Sequence, residues 1–191
     1  MDRRAFLATG VAAAGLTTAG CSGILGETIT LTDPETGTQD DGAEKYLSYH
    51  HGGDRIVTLG FDQREVQASP TDRFGFRISV PHSDETTIES FRFDLRAPHF
   101  SPDPPADVYL GAPGGGLWPE ITFEEVEDFW TRIALADASA VGEGTLTVHT
   151  IVDPVSTPVD ELGIRAELTL SGSGSRTYEV ETTTGFQPVR S

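Results

Sequence analysis

From Arg55 onward the chain is written in short runs in which every second residue is apolar, with Gly, Pro and Asp between the runs. RIVTLGF, RFGFRISV, TIESFRFDL, DVYLG, RIALA, TLTVHTIV, IRAELTL and TYEVETT all keep this period of two. Such a period sends alternate side chains to opposite faces of an extended strand, so each run predicts a strand with one buried and one wet face. Seven to nine strands of this kind across residues 55–191 predict an all-β fold, an antiparallel immunoglobulin-like β-sandwich. The predicted inward set is Val57, Leu59, Phe61, Phe74, Phe76, Ile78, Phe91, Phe93, Leu95, Ile133, Leu135, Leu146, Val148, Ile164, Leu168, Tyr178 and Val180. Burying side chains of this size contributes roughly 1.5–3 kcal/mol each, enough to hold an independent domain of this length.

Two stretches depart from the pattern. In ITFEEVEDFWTRI the residues Phe123, Val126, Phe129, Trp130 and Ile133 also suit a helical period. The alternating flanks favour two strands meeting at the acidic turn Glu124 to Asp128. Residues 22–54 hold one brief alternation, Glu27 to Thr32, followed by the acidic, turn-forming DPETGTQDDGAEK. That composition predicts a stalk with one short strand, because it offers little apolar surface to bury. SGSGS at Ser171 to Ser175 predicts a hairpin tip.

The N-terminus has a character of its own. Arg3 and Arg4 precede an apolar segment of mostly Ala, Gly, Thr, Val and Leu, and the small residues Thr18, Ala19 and Gly20 lead to Cys21, the only cysteine. The apolar run is short of the roughly 20 residues a spanning helix needs, so it predicts an export signal rather than a membrane span. With no second cysteine there is no intramolecular disulfide, and a thioether to lipid would make the thiol inert in an oxidising exterior. Residues 1–21 resemble the leaders of twin-arginine-exported lipoproteins. The resemblance implies a signal peptide over residues 1–20 and lipid attachment at Cys21; composition and alternation divide the rest into an acidic stalk over 21–54 and a β-sandwich ectodomain over 55–191. The resemblance also implies an exported protein held at the outer face of the cell membrane.

Charge narrows the setting further. The chain carries 30 acidic and 13 basic side chains, a net of −17, with Lys45 as its only lysine and no asparagine. At molar salt the screening length is about 3 Å, so crowded carboxylates scarcely repel and keep the surface hydrated. This composition resembles proteins of extremely halophilic archaea. Phosphate backbones demand clustered Lys and Arg, so no nucleic-acid partner is expected. The expected partners are the membrane, through lipid on Cys21, and a cell-surface protein or glycan.

Candidate chemistry is sparse. His50, His51 and Asp54 are close in sequence, but neighbours on an extended strand point to opposite faces and chelate one ion poorly. Asp33, Glu35, Asp40 and Asp41 share a loop without the spacing of a compact calcium site. A blue-copper centre needs a Cys thiolate and usually a Met beside two His, whereas the sole Cys is Cys21 and the sole Met is Met1. No metal and no cofactor are therefore predicted. None of the nucleophile-elbow, HExxH or phosphate-loop patterns occurs, so no catalytic residue is assigned. The alternative is a carboxylate-based surface hydrolase using Glu124, Glu125, Glu127 and Asp128 near Trp118. The Pro- and Gly-rich segment APHFSPDPPADVYLGAPGGGLWPEI carries Phe100, Tyr109 and Trp118 and is the candidate recognition loop.

Overall fold

The computed structural model describes residues 26–97, 106–110, 121–138, 145–155 and 157–191. Twelve strands form two six-stranded sheets. In chain order they are β1 (Glu27–Leu31), β2 (Glu35–Gln39), β3 (Glu44–His51), β4 (Asp54–Gln63), β5 (Phe74–Val80) and β6 (Thr86–Arg96). The second half adds β7 (Ala106–Leu110), β8 (Thr122–Val126), β9 (Trp130–Leu135), β10 (Leu146–Pro154), β11 (Leu162–Gly172) and β12 (Arg176–Phe186). Sheet A has the order β1-β12-β11-β6-β9-β8 and sheet B the order β2-β3-β4-β5-β10-β7. All pairings are antiparallel except β1 with β12, which is parallel.

The alternation seen in sequence does the packing. Every residue of the predicted inward set is buried, and one apolar cluster takes side chains from both sheets. Phe76 of β5 meets Phe186 of β12 edge-on at 5.1 Å, joining the sheets through their aromatic centre. The one lysine performs a similar task with polar atoms. Lys45 Nζ, on β3, donates to Thr184 Oγ1 at 2.6 Å and to the Gly185 carbonyl at 2.8 Å, on β12.

Residues 54–186 hold nine strands, β4 to β12, within the expected seven to nine. Other expectations are corrected: the pairing is not wholly antiparallel, because β1 runs parallel to β12. Most of the stretch expected to be stalk is built into the sandwich, since residues 27–51 supply β1, β2 and β3. Its inward residues are few but well covered: Leu31, Leu47 and Tyr49 are buried. Strand β2 is polar on both faces and takes its order from the backbone ladder with β3, a stabilisation that leaves no apolar period to read. The ambiguous segment resolves into β8 and β9 as expected, but around a tighter turn at Glu127–Phe129, because Glu124 and Glu125 pair with Arg132 and Thr131 in the ladder.

Turns match their residues. The β3–β4 hairpin closes on Gly52 and Gly53, whose φ values of 63° and 97° are the left-handed conformations that a two-residue hairpin turn demands. The β11–β12 hairpin turns on Ser173–Ser175.

The chain ends at the opposite end of the sandwich from where it enters. Gly26 lies against the Ser175 carbonyl, and Glu27 pairs with Arg176 at 3.4 Å, both at the β11–β12 tip. At the other end Gln63 brackets Val189, accepting from its N–H at 2.6 Å and donating to its carbonyl at 3.0 Å. Arg190 adds contacts to the Val159 carbonyl and Asp160 at 2.9 Å each.

Candidate functional site

The outward face of sheet A gathers the side chains with the most evident chemistry. Because Phe91, Phe93 and Leu95 of β6 face the core, Arg92, Asp94 and Arg96 face out. By the same parity Trp130 and Arg132 of β9 and Gly163, Arg165 and Glu167 of β11 share that face. Register then aligns them: Asp94 lies between Arg132 and Arg165, Arg92 beside Glu167, and Arg96 beside Gly163.

Asp94 is almost fully buried and takes two hydrogen bonds from Arg132, Nε at 2.8 Å and Nη2 at 2.9 Å. These hydrogen bonds raise the Arg132 guanidinium above its ordinary value, with burial acting against them and the Asp94 and Glu124 charges reinforcing them. Arg92 pairs with Glu167. Trp130 lies flat enough on the sheet that its ring reaches 3.3 Å from where a Cβ on Gly163 would stand. It is only 4% exposed although it is on the outer face. The guanidinium carbons of Arg165 and Arg96 cover its ring at 4.0 and 4.6 Å, a cation–π arrangement in which each pairing contributes roughly 0.5–2 kcal/mol. Neither arginine has a carboxylate within ion-pair distance among the described residues. The Arg96 Nε and the indole Nε1 are buried without hydrogen-bond partners there. In a chain of net charge −17, this leaves two positive charges held within 5 Å of one indole ring.

Toward the other end of the same face the side chains become small. Ser90, Thr169, Ala134 and Thr30 floor a shallow groove of about 460 Å³ edged by Glu179 and Glu181. A second, more polar concavity of about 680 Å³ sits at the end of the sandwich where the chain enters. The His51–Arg55 hairpin, the loop Ser83–Thr86 and the β11–β12 tip with Arg176 and Tyr178 line it. His51 packs on Tyr178 with ring centres 5.9 Å apart, whereas His50 points to Glu35 at 3.8 Å. The adjacent histidines thus diverge as alternation requires. Among the described residues no group of three His, Cys, Asp or Glu side chains is placed to hold a metal ion.

Of the remaining predicted residues, those described lie on the edge strands β7 and β8 and the turn after β8. Tyr109 is on β7, an edge strand of sheet B, 48% exposed and opposite Ile151. Its hydroxyl donates to Asp107 at 3.2 Å. The Asp107 carboxylate raises its phenol above the ordinary value, by charge and by hydrogen bond, with a smaller contribution from Asp153. Glu124, Glu125, Glu127 and Asp128 are all exposed along β8 and its turn, a single edge. Phe100, Trp118, Cys21, Arg3 and Arg4 lie outside the described residues. Sequence reasoning missed Trp130 as a surface feature. The signal was present: once Ile133 and Leu135 are taken as inward, parity sends Trp130 and Arg132 outward together.

A profile described as a domain of unknown function, DUF8121, matches residues 28–190. The chain belongs to the DUF8121 family. The match begins in β1 and runs beyond β12, so the DUF8121 domain takes in all twelve strands and the segment expected to be stalk. No curated protein matches the chain. Among solved structures the domain is similar to a cohesin module from a Clostridium perfringens family 33 glycoside hydrolase, at 13% identity and TM-score 0.41, over 71% of this chain and 97% of that one. It is similar to the major pilin subunit of Bacillus cereus at 10% identity and TM-score 0.45, over 82% of this chain and 48% of that one. A collagen-binding domain from a Staphylococcus aureus adhesin aligns at 4% identity and TM-score 0.37, over 64% of this chain and 95% of that one. Likenesses of this size leave the ligand open.

Proposed function

We propose that this chain is an exported, lipid-anchored binding module at the outer face of a haloarchaeal cell membrane. In this reading it is not an enzyme. It engages a cell-surface protein or glycan bearing carboxylates through the Arg96–Trp130–Arg165 plate. The observation that carries the reading is the pair of guanidinium groups held 4.0 and 4.6 Å from the centre of one buried indole, with no carboxylate partner among the described residues. Two fixed guanidinium forks on an exposed sheet suit planar, two-oxygen acceptors, and their contact with Trp130 fixes them before a partner arrives. The leader with Arg3 and Arg4, the lone Cys21 and the net charge of −17 support the tether and the salt-rich setting.

The test is titration of the protein with polygalacturonate and with polyglutamate in high potassium chloride, followed by tryptophan emission. At least one polymer should change the emission saturably, and the double variant Arg96→Ala/Arg165→Ala should abolish the change. A protein that responds to neither polymer, or a double variant that responds like the parent, overturns the proposal.

A further inference from the structure

The path of the chain into β1 assigns an orientation to the domain at the membrane. Cys21 precedes Glu27 by six residues, which span at most about 20 Å when fully extended. Glu27 is fixed in register with Arg176 and ion-paired to it, immediately after the β11–β12 tip, and Gly26 rests on Ser175. The tip shares its end of the sandwich with the Gly52–Gly53 hairpin and the Ser83–Glu85 loop, since all three line one concavity. We propose that the sandwich stands on end, with these three turns against the lipid headgroups and the Arg96–Trp130–Arg165 plate held out from the membrane. The proposal rests on the lipid tether at Cys21.

The far end is fixed as firmly as the near one. Strand β12 runs from Arg176 at the near end to Phe186, and its eleven residues span roughly 35 Å at about 3.3 Å per residue. Gly163 and Arg96, over which Trp130 lies, align with the Phe186 end of the strands. A tether of about 20 Å therefore cannot invert the domain and bring the plate to the bilayer while Glu27 stays in its ladder. The near end is also suited to a polar interface rather than to insertion. Arg55 and Arg176 stand among Asp54, Asp84 and Glu85, with Glu27 against Arg176, a mixture of signs that meets zwitterionic and anionic headgroups without the repulsion of an all-acidic face.

The experiment uses the full lipid-attached chain in vesicles of phosphatidylcholine and phosphatidylglycerol carrying a headgroup energy-transfer acceptor. A donor is placed on Ser173→Cys at the near tip or on Gln187→Cys at the far end, both exposed positions. Transfer from position 173 should exceed that from position 187 by about threefold or more, given the roughly 35 Å between them. Protein that floats with the vesicles but transfers equally from both positions, or more from 187, overturns the orientation alone. Protein that does not float overturns the tether and the orientation with it.

Discussion

Tyr49 shows how one buried group sets a pH limit. Burial raises its phenol above the ordinary value, with the Thr182 side chain acting in the opposite direction. An unfolded tyrosine ionises near pH 10. Above that pH the unfolded chain has released a proton that the folded chain still holds, so stability falls as pH rises. The contribution is fully present below about pH 10 and is lost as pH climbs through the folded value. Tyr49→Phe removes the group, and denaturant unfolding between pH 8 and 11 should show a shallower decline for the variant than for the parent. Equal slopes would mean that Tyr49 is not the group responsible. Gly163 makes a different demand at the same scale. A side chain there meets the Trp130 ring, so Gly163→Val lifts the indole off β11. Overpacking of this kind costs about 1–3 kcal/mol, and Tm should fall by roughly 2–4 °C per kcal/mol in a domain of this size. Tryptophan emission should shift to the red in a Trp118→Phe background, and an unchanged spectrum would refute the close approach of ring and strand.

At the scale of elements, most of the strands that were legible are those with one buried face, one exception being the edge strand β7, read from the run DVYLG. β4, β5, β6, β9, β10, β11 and β12 each carry the full alternation, and their inward residues are the core. What escaped was held by other means. β2 buries no side chain and is an edge strand defined by its ladder to β3. β8 did not escape, since the alternating flanks of its segment predicted it, although as an edge strand it is exposed along most of its length. In β3 only Leu47 and Tyr49 mark the inward side, too few to distinguish a strand from a stalk. The candidate site was legible only in part. Divergence of His50 and His51 follows from alternation alone, and the structure has it. The Arg96–Trp130–Arg165 plate joins three strands distant in sequence, a placement that depends on sheet order and not on local pattern. Tyr109 is exposed on an edge strand opposite Ile151, and its expected companions Phe100 and Trp118 lie outside the described residues.

For the molecule as a whole, charge sets the conditions under which the fold survives. Like charges on a compact domain repel over a range of about 10 Å at 0.1 M salt and about 3 Å at 1 M. Unfolding separates those charges, so added salt relieves the folded state more than the unfolded one. Thermal unfolding in potassium chloride from near zero to several molar should therefore show a midpoint that climbs, and a flat or falling midpoint would defeat the halophilic setting. The parallel pairing of β1 with β12 has a mechanical consequence. Load applied between a membrane anchor at Cys21 and a partner gripping the far end would run along β1, not across it. Its five residue pairs with β12, Glu27 to Leu31, would then share that load in shear instead of opening one at a time. The first strand of the sandwich would act as a clasp that resists extraction, and its failure under force would be set by an unfolding rate rather than by equilibrium stability.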